Sequence, residues 1–105
     1  MRNLEVDIPQ GCNLKGADWI IRLLCKKEGL SMKTRGTLKS YPGSTHWHFN
    51  RRSEKGTLEV TLWPKESKIW FSIHDNRNGT WTDEVVDRLA VAARKAFESK
   101  RVKAR

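Results

Sequence analysis

Between Tyr41 and His74, apolar and polar residues alternate with a period of two in three runs, His46–Arg52, Thr57–Trp63 and Lys68–His74. A strand sends successive side chains to opposite faces, so each run predicts a strand with one buried side. The breaks, Ser53–Gly56 and Pro64–Ser67, carry Gly, Pro and Ser, which predicts an antiparallel meander. One parity is apolar: Trp47, Phe49, Leu58, Val60, Leu62, Ile69, Phe71 and Ile73. The other holds His46, His48, Asn50, Arg52, Glu59, Thr61, Trp63, Lys68, Trp70, Ser72 and His74.

Leu4–Ile8 alternates in the same way, and Pro9 ends it, which predicts a first strand. Asn13 is placed to cap a helix running to about Glu28, with Gly29 as its stop and Lys26 and Lys27 at its favourable cationic end. Ala17, Ile20, Ile21 and Leu24 make its apolar stripe, and the sheet and a neighbouring helix are expected to cover Trp19 and Leu23 as well, an exposed partner-binding patch being the alternative. A weaker strand is predicted over Thr34–Tyr41, with Leu38 inward, followed by the turn Pro42–Thr45. After the polar loop 75–79, Thr82 is expected to cap a second helix, with Trp81 stapled onto Val86 as a packing residue. The predicted order is β-α-β-β-β-β-α: a two-layer α+β domain spanning 1–105, its mostly antiparallel sheet carrying both helices on one face. A right-handed crossover would set the first strand parallel to a neighbour.

If each of the three predicted turns holds four residues, Tyr41 faces His46, Arg52 faces Thr57 and Trp63 faces Lys68. The outer face then reads in rows as Tyr41–His46–Trp63–Lys68, Lys39–His48–Thr61–Trp70, Thr37–Asn50–Glu59–Ser72 and Arg35–Arg52–Thr57–His74. The apolar parity matches across the same register. In these rows His74 lies roughly 17 Å from His48, too far to share one ion or one scissile bond. His46 and His48 alone fall short of a metal shell, so no metal or other cofactor is expected. No nucleophile elbow, phosphate loop or zincin helix is present either, which points away from an enzyme.

Charge changes the picture of that face. Lys and Arg total 21 against 12 Asp and Glu, a net charge of +9, which favours a polyanionic partner. Tyr41, Trp63 and Trp70 are interleaved with Lys39, Lys68, Arg35 and Arg52, beside His46 and His48. Rings for stacking and cations for phosphates are what a single strand of DNA or RNA needs. The leading expectation is therefore a non-enzymatic binding module for single-stranded nucleic acid. A protein-interaction or self-associating domain burying the same face is the alternative, and a small enzyme or ligand carrier built on His46, His48 and Glu59 is the third reading. Two cysteines without a metal or disulfide pattern, no apolar leader and no span-length apolar run predict a cytoplasmic protein without membrane insertion. The tail 100–105, with four cations and no acid, is expected to fray.

Overall fold

The architecture is that of a computed structural model, which describes residues 2–9 and 16–99. The expected Asn13 cap, the turn at 10–12 and the tail 100–105 lie outside the described residues. Five strands, β1 (Arg2–Asp7), β2 (Ser31–Gly36), β3 (Thr45–Asn50), β4 (Leu58–Trp63) and β5 (Lys68–Ile73), form one sheet in the order β1-β5-β4-β3-β2. Helices α1 (Ala17–Lys27) and α2 (Thr82–Ser99) complete the predicted β-α-β-β-β-β-α order. Every neighbouring pair of strands is antiparallel. The expected parallel partner for β1 is thus replaced by antiparallel pairing along β5, from Arg2 opposite Ile73 to Asp7 opposite Lys68.

The apolar parity of the meander is the core. Trp47, Phe49, Leu58, Val60, Leu62, Ile69, Phe71 and Ile73 are all buried, in one cluster with Ile20, Ile21 and Cys25 of α1 and with Val85, Val86, Leu89 and Phe97 of α2. Burial of such side chains is the main force holding helices to sheet, about 1.5–3 kcal/mol for each. The indole N–H of the fully buried Trp47 has no hydrogen-bond partner among the described residues, a cost the sheet tolerates for the ring's area. Trp81 is buried as expected, and its Nε1 donates to the Lys55 carbonyl at 2.9 Å. Trp19 departs from expectation: it is 58% exposed, because the buried stripe of α1 is only Ala17, Ile20, Ile21 and Cys25.

Thr82 does not cap α2 in the expected way. It is the first helical residue, and its hydroxyl donates back to the Gly79 carbonyl at 2.9 Å. The stop of α1 is as the sequence predicts. Gly29 takes φ +78, Gly29 N–H donates to the Lys26 carbonyl and Leu30 N–H to the Cys25 carbonyl, the paired bonds of a Schellman ending. Leu30 is buried by that motif, and β2 starts at once, at Ser31.

This early start corrects the predicted Thr34–Tyr41 strand. Gly36 lies opposite His46 and Thr34 opposite His48, with an irregularity between Met32 and Thr34. The slip from the predicted register is odd, so faces exchange. Arg35 sits opposite the core residue Trp47 and pairs with Asp18 of α1 at 2.5 Å; it is not on the outer face. As an exposed edge strand bearing Lys33 and Arg35, β2 is poorly suited to pair with another chain. Among the described residues no helix is long and apolar enough to cross a membrane.

Candidate functional site

The outer face of the sheet is where the polar parity converges, and its centre is Glu59 on β4. Across β3 it faces His48, and across β5 it faces Ser72. The β3–β4 register differs from the predicted one by two residues: His46 lies opposite Thr61 instead of Trp63. The parity is unchanged, but both β3 histidines move toward Glu59. His74 follows β5 on the same parity and reaches Glu59 diagonally, a distance long side chains span.

The result is a carboxylate ringed by nitrogen. His46 Nε2 is 3.1 Å from Glu59 Oε1 and His48 Nε2 is 3.4 Å from it. His74 Nε2 is 2.9 Å from Oε2, and Arg77 Nη1 is 3.9 Å from the same oxygen. The expectation that His74 stands apart from His46 and His48 is therefore overturned: the register shift and the diagonal reach place all three on one carboxylate. The Glu59 side chain is only 10% exposed. Such a buried anion requires partners, and here it has several.

Two loops hold this ring in place. Thr57 N–H donates to the Arg77 carbonyl at 2.9 Å, and Arg77 N–H to the His74 carbonyl at 2.9 Å. Gly79 lies against Lys55 so closely that a Cβ would come within 1.8 Å of the Lys55 carbonyl oxygen. Only glycine permits that approach. Arg77 Nη1 thereby comes 3.3 Å from His48 Nδ1. A guanidinium only donates, so in this contact Nδ1 accepts and the proton of a neutral His48 resides on Nε2, facing Glu59. Burial pushes the proton affinity of His48 below its ordinary value, and His46, Arg77 and His74 push the same way against the pull of Glu59. His46 is fixed from behind, its Nδ1 2.7 Å from Thr61 Oγ1.

Beside this ring stands an aromatic wall. Tyr41 meets Trp63 edge-on at 4.8 Å between centroids and Trp70 at 5.3 Å, and Trp63 and Trp70 stack at 6.0 Å. Tyr41 is not in a strand, contrary to the predicted row. The loop 37–44 carries it over β4 and β5, and Trp63 Nε1 donates to the Pro42 carbonyl at 3.1 Å to fasten that loop. Leu38, expected in the core, instead joins the outer side of this loop. Wall and ring open on one depression of about 370 Å³, lined by Tyr41, Trp70, Leu38, His46, Glu59 and His74 among others. That volume is at the small end of ligand pockets.

The predicted cations are placed less favourably than the rings. Lys68 is beside Trp63 and Trp70 but pairs with Glu5 at 2.8 Å. Arg52 is in the β3–β4 loop at φ +52, and Lys39 is in the loop before Tyr41; both are exposed. With Arg35 on the helix side, the expected Arg35–Arg52 apposition does not exist. The sequence pattern assigns Glu59 to the third reading only and gives Arg77 no role beyond the polar loop 75–79. The signal for Glu59 was available, since it is diagonal to His74 in the β4–β5 register, which is as predicted.

No family model matches the chain, and neither does any curated protein or solved structure.

Proposed function

We propose that this protein binds single-stranded nucleic acid on the outer sheet face, with one unstacked base held in the depression between the aromatic wall and the Glu59 ring. The observation that supports this reading is the shared pocket: Tyr41 and Trp70 on one side, His46, Glu59, Thr61, Ser72 and His74 on the other. Sequence-specific contact with single strands uses this pairing of surfaces, a ring to stack on the base and polar groups to bond its edge. The net charge of +9 supplies attraction to phosphates. On this reading Arg77, 44% exposed beside the ring, serves a phosphate next to the bound base. Arg35, on the opposite face, serves none.

Titration with a single-stranded oligonucleotide in EDTA at low salt tests the reading. Tryptophan fluorescence should quench, affinity should fall steeply with salt, and Trp70→Ala should weaken binding by 1–3 kcal/mol, about five- to 150-fold. Unchanged fluorescence and no binding by the folded protein would end it. Light scattering run alongside separates this from self-association, where the same rings would be buried between two copies.

A further inference from the structure

We propose that His46 Nε2, His48 Nε2 and Glu59 Oε1 form a three-ligand site for a divalent zinc-like cation, with its fourth position open to the aromatic-walled pocket. This goes beyond nucleic-acid binding and does not depend on it. The three donor atoms form a nearly equilateral triangle: 3.1 Å from His46 to Glu59, 3.4 Å from His48 to Glu59 and 3.2 Å between the two imidazole nitrogens. Zinc bonds of about 2.0–2.1 Å in a tetrahedron put neighbouring ligand atoms about 3.3–3.4 Å apart. Three donors already at that spacing need little movement to coordinate one ion.

Hydrogen bonding explains the triangle less completely. If both Nε2 atoms carry protons, both donate to one oxygen, and the contact between the nitrogens sets two donors against each other with no acceptor. A cation replaces all three contacts at once. Two histidines and one glutamate are a known ligand set for zinc with an open position.

The surroundings fit ligand support. A metal on His46 Nε2 leaves the imidazole proton on Nδ1, where Thr61 Oγ1 is 2.7 Å away to accept it. Partners of this kind orient metal-bound imidazoles. His74 Nε2, 2.9 Å from Oε2, holds the second carboxylate oxygen and turns Oε1 toward the imidazoles. His46 and Glu59 both line the pocket, so an incoming ligand atom has a route to the ion. One contact opposes binding. Arg77 donates to His48 Nδ1 at 3.3 Å, and metal on Nε2 puts the proton on that nitrogen. Arg77 must then turn away, which its exposed side chain allows.

That opposition gives the test its sign. Zinc chloride is titrated by calorimetry into the full chain, stripped with EDTA and then freed of it, at neutral pH. One ion should bind per chain, with affinity in the micromolar range or tighter. His48→Ala should lose on the order of a hundredfold, and Thr61→Val about tenfold. Arg77→Ala should bind several-fold more tightly, because it removes both a cation and the competing donor. Circular dichroism confirms that each variant is folded. Absence of binding by the wild-type chain overturns the proposal. So does binding that folded His48→Ala and Thr61→Val leave unchanged, or binding that Arg77→Ala weakens.

Discussion

His74 Nε2 lies 2.9 Å from Glu59 Oε2, a contact between residues that do not face each other across the sheet but sit diagonally on β4 and just beyond β5. It ties the polar loop after β5 to the buried carboxylate. Replacing Glu59 removes the one anion that three imidazoles and a guanidinium share. Glu59→Gln should destabilise the protein by about 1–3 kcal/mol, since Gln keeps the shape but loses charge-assisted bonds. Urea unfolding should show a lower midpoint with the slope unchanged.

The glycine at 79 is a sharper probe of the loops that shape the ring. A Cβ there would sit 1.8 Å from the Lys55 carbonyl oxygen, backbone against backbone. Gly79→Ala should cost about 2 kcal/mol or more. Gly43 offers the comparison: its φ is +83 with nothing within 4 Å of an added Cβ, so Gly43→Ala should cost only the conformational penalty, about 1–2 kcal/mol. Thermal unfolding of both variants ranks them.

Arg35 and Arg77 separate the two faces. Arg35→Ala should leave oligonucleotide affinity nearly unchanged, and Arg77→Ala should weaken it and lower the salt slope by about one. A large loss from Arg35→Ala would place the ligand on the helix side.

The Asp18 carboxylate carries a pH signature. Burial alone would raise its proton affinity, but hydrogen bonds and charge from Arg35 and Arg22 outweigh burial and lower it below the ordinary carboxylate value. A depressed folded value means the stabilisation is present above the unfolded pKa and is lost as pH falls through the folded one. Asp18→Asn should therefore be less stable than wild type at neutral pH, by about 0.5–1 kcal/mol for pairs this exposed. The difference should close in strong acid. Unfolding midpoints across pH 2–7 measure it.

Cys25 is fully buried on α1, and burial, with the nearby Glu28 charge, pushes its thiol up to about 12. The thiolate is the reactive form, so Cys25 should resist a thiol reagent in the native state and react promptly in denaturant. Mass spectrometry after timed labelling distinguishes it from Cys12.

The core of this fold was legible in the chain because its cause is local. Alternation in β3, β4 and β5 assigns each side chain to a face, and Trp47, Val60 and Phe71 are buried as their parity requires. The β4–β5 pairing was also legible, because Pro64 and a left-handed Ser67 make a short, defined turn. The other registers were not. A strand shifted by two residues keeps every side chain on its face, so the apolar pattern cannot detect the shift that brings His48 opposite Glu59. What decides it is the packing of the β3–β4 loop on the loop after β5, through Gly79 against Lys55 and Trp81 N–H on the Lys55 carbonyl. At β2 the Schellman ending of α1 starts the strand early, by an odd slip, and so turns Arg35 from the outer face to Asp18. The alternating pattern of the chain assigns the two layers, the order of elements and the outward residues of β3, β4 and β5. Only the tertiary structure gathered the three histidines on Glu59 and set Tyr41 against the tryptophans, because loops distant in the chain fix the registers and place those side chains.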